Sequence, residues 1–202
     1  IIAHDLERQF SNQDDIKKDV ELLSSQVERC NEILKRLTLN PVEEDEFIDK
    51  DLTMREYLSE IISSFKDISK KNFIFNFDQF SNVKKITKSI EIVYGLRNFI
   101  GNANKFSKET IYINLKSDSE MTEITIEDDG NGYPRDVLSK IGEPYLRSKD
   151  PIEKEKSGLG LGLFIGKTLL EKNFASINCK NSKTRSGAEV IIKWNNRDLF
   201  NI

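Results

Sequence analysis

The chain has 202 residues, with 31 basic and 34 acidic side chains, one histidine and a formal net charge of −3. Residues of the AVILMFWYC set make up 37% and charged residues 32%, a balance that supports one full globular core plus a smaller appendage and argues against a general nucleic-acid binder. No apolar run reaches the roughly 18–20 residues that cross a bilayer, two cysteines (Cys30 and Cys179) make no disulfide framework and point to a reducing compartment, and a lone His4 argues against histidine-rich metal sites.

The chain opens on Ile1-Ile2-Ala3 without a methionine and reads as a piece of a longer protein. Its charge is uneven, net −6 over residues 1–50 and net +3 over the remainder, so the larger part suits an anionic small ligand.

Ile16, Val20, Leu23, Val27, Cys30, Leu34 and Leu37 recur at alternating spacings of 4 and 3, the heptad seam of a bundle helix over residues 14–39. Ala3, Leu6 and Phe10 carry the same rhythm before Ser11-Asn12-Gln13-Asp14, which reads as the turn of a helical hairpin. At about 1.5 Å per residue the second helix is about 38 Å long, whereas ten residues of the first reach only about 15 Å. The uncovered seam calls for upstream sequence, a second chain, or both, and a dimeric four-helix bundle satisfies it. Residues 1–40 therefore form the expected hairpin. Pro41 and the acidic run Glu43-Glu44-Asp45-Glu46 mark a linker over 41–50.

Residues 51–202 change pattern. Thr53-Met54-Arg55-Glu56 is a capping box ahead of a helix carrying Tyr57, Leu58, Ile61, Ile62 and Phe65. The pattern then predicts a strand near 73–77, a helix near 89–106 and strands near 110–116 and 123–128. A loop with a short helix follows, then a helix near 161–172 and strands near 175–180 and 188–194. Helices and strands mix without regular βαβ alternation, so the expected class is α+β, with helices layered on a largely antiparallel sheet.

Three segments carry chemistry. On the helix near 89–106, Val93, Leu96, Ile100 and Ala103 share an apolar face, while Asn98, Asn102 and Lys105 line another at i, i+4 and i+7. Two amide oxygens and an ammonium in a row can meet a hard cation and a phosphate; an exposed polar face is the plainer reading. In Ile124-Thr125-Ile126-Glu127-Asp128-Asp129-Gly130-Asn131-Gly132, strand alternation turns Asp128 inward with Ile124 and Ile126. A buried carboxylate needs donors, and Gly130 and Gly132 allow positive φ and close approach to a flat ligand. The third segment, Ser157-Gly158-Leu159-Gly160-Leu161-Gly162-Leu163, runs into a helix whose free N–H groups suit phosphate oxygens.

In this order, the three segments resemble the asparagine box and the two glycine boxes of the ATP-binding domain of bacterial sensor histidine kinases, members of the gyrase–Hsp90–kinase–MutL group. The likeness spans about residues 50–200. The heptad helix resembles the second helix of a dimerisation and histidine-phosphotransfer domain. Residues 25–34, Tyr94-Gly95-Leu96-Arg97-Asn98, Gly142-Glu143-Pro144-Tyr145 and Gly160-Leu161-Gly162-Leu163-Phe164-Ile165 are similar to the RegB/PrrB/ActS redox-responsive kinases. The resemblance implies a two-layer α/β sandwich binding ATP and Mg²⁺. Asn102 would hold the metal with Asn98 in support, and Lys105 would meet the phosphates. Asp128 would accept from the adenine amino group, with Gly130 and Gly132 lining the base pocket. Gly158, Leu159, Gly160, Leu161 and Gly162 would cover the phosphates, and Tyr145 and Arg147 would begin a lid.

The resemblance also implies a homodimer, a response-regulator partner, a cytoplasmic location and a membrane anchor upstream. Such a kinase needs an accepting histidine followed by an acid and then a proline. His4-Asp5 lacks the proline and lies close to the hairpin turn, so the acceptor is expected before Ile1, with His4 as the alternative. Cys30 is either a packing residue of the seam or the redox-responsive thiol of that family. A related ATPase and a non-catalytic dimeric module are the competing functional readings.

Overall fold

The computed structural model describes residues 52–78, 85–86, 89–146 and 160–200, all within one compact unit, Lys50–Ile202. The expected hairpin over 1–40 and the linker over 41–50, with His4 and Cys30, lie outside the described residues.

In chain order the elements are strand β1 (Leu52–Thr53), helix α1 (Met54–Lys66), β2 (Asn72–Phe77), β3 (Lys85–Ile86), α2 (Ile90–Phe106), β4 (Thr110–Ser117), β5 (Met121–Asp128), α3 (Arg135–Leu138), α4 (Gly162–Lys172), β6 (Ser176–Asn181), β7 (Ala188–Asn195) and α5 (Asn196–Leu199). Five strands form one sheet in the order β2-β4-β5-β7-β6. Three of its pairings are antiparallel, and β2 runs parallel to β4. A parallel neighbour cannot be joined by a tight turn, and the chain between β2 and β4 carries α2 as its crossover.

Alternation along the strands explains the two layers. Ile111, Ile113 and Leu115 of β4, Ile124 and Ile126 of β5, and Val190, Ile192 and Trp194 of β7 are all buried. They form one core with Leu58 and Ile61 of α1, Leu96 and Ile100 of α2, and Leu170 of α4. The opposite sheet face carries polar pairs such as Lys193–Glu123 at 2.7 Å and Lys180–Glu189 at 3.0 Å, the pattern of a sheet with one face toward solvent.

The capping box forms as expected. Thr53 Oγ1 accepts from the Glu56 backbone N–H at 3.3 Å, and Glu56 Oε2 accepts from the Thr53 N–H at 2.7 Å. These backbone and side-chain hydrogen bonds hold the Glu56 carboxyl below its ordinary range. Thr53→Ala is expected to lower stability by about 1 kcal/mol, read as a reduced denaturation midpoint at unchanged slope.

Helix α2 departs from its two-face reading, because Arg97 and Phe99 are buried beside the expected apolar stripe. The helix is covered on several sides, by α1, by α4 and by β5. Arg97 donates to Ser64 Oγ at 3.0 Å and lies 5.5 Å from the Phe65 ring. Helices α2 and α4 meet at glycines: a Cβ on Gly166 would come within 3.2 Å of the Gly95 carbonyl oxygen and 3.1 Å of Asn98 Cβ. Such close approach brings the start of α4 over the middle of α2.

Candidate functional site

A cleft opens between α2, the ends of β5 and β7, and the start of α4. The space within it, open solvent included, is about 860 Å³. Its deep wall is apolar, with Ile126 and Val190 from the sheet and Ala103 and Phe106 from α2. One carboxylate, Asp128, stands among them.

Asp128 is 3% exposed. Its Oδ1 accepts from the Gly130 N–H at 2.8 Å and the Ala188 N–H at 3.2 Å. Burial raises its pKa despite these two donors, with Asp129 and Glu127 adding repulsion. Among the described residues no hydrogen bond to Oδ2 accompanies these two, so that oxygen can accept from a ligand donor. The neighbouring acids turn the other way, as alternation requires. Asp129 accepts from the N–H groups of Lys108, Glu109 and Thr110, and Glu127 accepts from Ser182 Oγ at 2.9 Å.

The glycines act by two different means. Gly132 (φ 75°) and Gly160 (φ 68°) take the left-handed conformation. Gly130 does not, contrary to the sequence expectation. It is required instead by proximity, since a Cβ there would strike the Phe106 carbonyl oxygen and come within 2.8 Å of Asp128 Oδ1.

Asn98 and Asn102 converge as their spacing predicts. A Cβ on Gly162 would lie 3.6 Å from Asn98 Oδ1 and 3.9 Å from Asn102 Oδ1, so both amide oxygens face the first turn of α4. Asn98 is oriented by donating from Nδ2 to the Tyr94 carbonyl at 2.8 Å. Among the described residues no side chain caps α4, and the leading N–H groups of such a helix suit an anion. Leu161 is the N-cap residue of α4.

Other expected residues stand apart. Lys105 is exposed, its ammonium 5.7 Å from the Phe106 ring centroid. Tyr145 is 62% exposed with φ 60° and does not line the cleft. Its neighbour Leu146 does, and the Leu146 N–H donates to the Gly160 carbonyl at 3.1 Å. Arg147, Gly158 and Leu159 lie outside the described residues.

Sequence reasoning missed Gly187, Ala188, Tyr133 and Leu146. A Cβ on Gly187 would strike the Asp128 carbonyl oxygen and carboxylate, and Ala188 supplies the second donor to that acid. The glycine immediately ahead of an alternating strand was the available signal. Nothing local marks Tyr133 or Leu146, which reach the cleft through loop geometry.

The arrangement is an apolar slot ending in a single acceptor, opening toward two amide oxygens and an uncapped helix start. It suits a flat base with an exocyclic amine and a phosphate tail. The sequence profile of the histidine kinase-, DNA gyrase B- and HSP90-like ATPases matches residues 87–198, and the chain belongs to that family. It is similar to the sensor histidine kinase RegB of Cereibacter sphaeroides, at 30% identity over 96% of this chain and 46% of the relative. The chain thus spans about half the length of that relative. Among solved structures, the catalytic domain of the histidine kinase ThkA matches 71% of this chain and 95% of its own at TM-score 0.59 and 20% identity. Full-length ShkA, solved with AMPPNP, matches 96% of this chain and 41% of its own at TM-score 0.60 and 18% identity. These two show the fold.

Proposed function

We propose that this chain is the ATP-binding kinase region of a sensor histidine kinase, moving the γ-phosphoryl group of ATP to a histidine and thence to a response-regulator aspartate. The observation that carries the reading is the buried Asp128, which lines the cleft and is held by two backbone donors on one oxygen. An acceptor of that kind in an apolar slot suits the amino group of adenine. Asp128 reads the base, Gly130 and Gly132 line its edge, and the start of α4 (Gly160, Leu161 and Gly162) takes the phosphates, with Lys105, Tyr145, Arg147, Gly158 and Leu159 assigned alongside them.

The described residues contain no cluster of three His, Cys, Asp or Glu side chains able to hold a metal, but Mg²⁺ needs only one or two protein oxygens beside phosphate and water. Asn102, with Asn98 in support, fits that role through the amide oxygens facing Gly162. The ion would neutralise charge on the triphosphate. The protein's own share is position: the slot orients the base, and uncapped backbone N–H groups hold the tail for in-line transfer.

The similarity to RegB supports a homodimer through the N-terminal hairpin, an acceptor histidine upstream of Ile1 or at His4, a redox role for Cys30, and a cytoplasmic region following a membrane anchor. Among the described residues no helix is long and apolar enough to cross a membrane.

Two measurements test this. Mg-ATP at millimolar concentration raises the melting temperature of the chain, and γ-labelled ATP with a full-length partner subunit gives acid-labile, base-stable label on protein. Free phosphate alone would favour an ATPase, and no thermal shift would favour a non-catalytic module. Asn102→Ala is expected to remove the gain in affinity that Mg²⁺ provides, while metal-free nucleotide binding changes by less than about threefold; calorimetry with and without EDTA reads both.

A further inference from the structure

The loop after Asp128 is stitched to the sheet edge by one side chain. Strand β6 lies at one edge of the sheet, next to β7. From its last residue, Asn181 Oδ1 accepts from the Tyr133 N–H at 2.6 Å, and Asn181 Nδ2 donates to the Tyr133 carbonyl at 3.0 Å. One amide thus satisfies both backbone groups of Tyr133, as a neighbouring strand would. The fit leaves no slack, because a Cβ on the preceding Gly132 would lie 2.7 Å from Asn181 Oδ1.

The Tyr133 ring then turns inward, lining the cleft and meeting the core. Cys179, two residues before Asn181 on the same strand, packs against the same core. Burial keeps both groups neutral. It holds the Tyr133 phenol well above its ordinary range, with Cys179 and Asp128 adding to the effect. It pushes the Cys179 thiol up to about 11, against the pull of the Lys167 ammonium. A neutral, buried thiol is a poor nucleophile.

We propose that Asn181 is a positioning residue that clamps Tyr133 at both backbone groups, so that its ring forms a fixed wall of the adenine slot beside Asp128. The inference rests on the nucleotide reading of that slot and adds the edge strand β6 to the residues that determine base affinity.

Calorimetric titration of the 202-residue chain with Mg-ATP tests it. Loss of two hydrogen bonds to one loop residue in Asn181→Ala is expected to weaken ATP binding about tenfold. In a Tyr133→Ala background the same substitution is expected to cost nothing further, because its effect passes through the ring. If Asn181→Ala loses cooperative melting, Asn181→Asp is read in its place, since it keeps the acceptor and loses the donor. ATP binding within twofold of the parent in the Asn181 variant overturns the clamp alone, and so does an equal loss in the Tyr133→Ala background. A parent chain that fails to bind ATP overturns the nucleotide reading and this inference with it.

Discussion

Asp128→Asn is expected to abolish the ATP-induced thermal shift while leaving the unliganded protein as stable as the parent or more so. The amide is nearly isosteric, and its oxygen can keep the N–H donors of Gly130 and Ala188. Its nitrogen then faces the cleft, where a donor meets the donating amine of the base. Turning one buried hydrogen bond into a donor–donor contact weakens binding by about a hundredfold or more. Stability moves the other way because burial raises the folded pKa of Asp128 above the ordinary carboxylate value. A carboxyl shifted upward takes its proton more readily folded than unfolded. Its contribution to stability is therefore most favourable below the unfolded pKa and is lost as pH rises through the folded one. At neutral pH the ionised acid is a cost that Asn removes. As pH falls through the raised pKa, the parent is expected to gain on the variant, and paired thermal melts across that range read the difference. A retained ATP shift in Asp128→Asn would contradict the base-reading role.

Gly187→Ala is expected to disrupt both the fold and the site. The added Cβ would strike the Asp128 main-chain and side-chain oxygens, neither of which can retreat. The carboxylate is held by two N–H groups, and Asp128 is the last residue of β5, paired opposite Ile111. Overpacking against fixed atoms costs about 2–3 kcal/mol, or roughly 5–10 °C in melting temperature for a unit of this size. The ATP shift should fall with it, since the first residue of β7 must move away and take the Ala188 donor along. Gly101→Ala is the control. Its Cβ would make only ordinary contact with the Phe65 ring, 3.4 Å away at the nearest, and it lies inside helix α2, so Gly101→Ala should leave the ATP shift unchanged and hold or raise the melting temperature by a few degrees at most.

Residue types at local spacings made much of this legible. The strand pattern put Asp128 inward, and Ile124 and Ile126 are buried with it. The i, i+4 spacing placed Asn98 and Asn102 on one line, and both amide oxygens reach the same turn of α4. The capping box marked the start of α1. Each is a short-range rule of backbone geometry, so a single segment carries it. The very short β1, β3 and α5 escaped notice because two to four residues show no period. Asn196, whose side chain accepts from Thr122 at 2.6 Å and donates to the Asp118 carbonyl at 2.8 Å, acts only across the sheet.

From the residue order alone came the class of fold, the inward acid, the amide pair and the glycine-rich entry to α4, and their order carried the resemblance to the ATP-binding domain of histidine kinases. Tertiary structure alone decided how the acid is held, through Gly130 at one strand end and Gly187-Ala188 at another, about sixty positions away. It likewise decided that Gly130 is needed for closeness rather than for positive φ, and that Asn181 reaches Tyr133 from an edge strand. The physical reason is the same in each case. Periodicity encodes which way a side chain points, but the partner it meets is set by how distant segments pack.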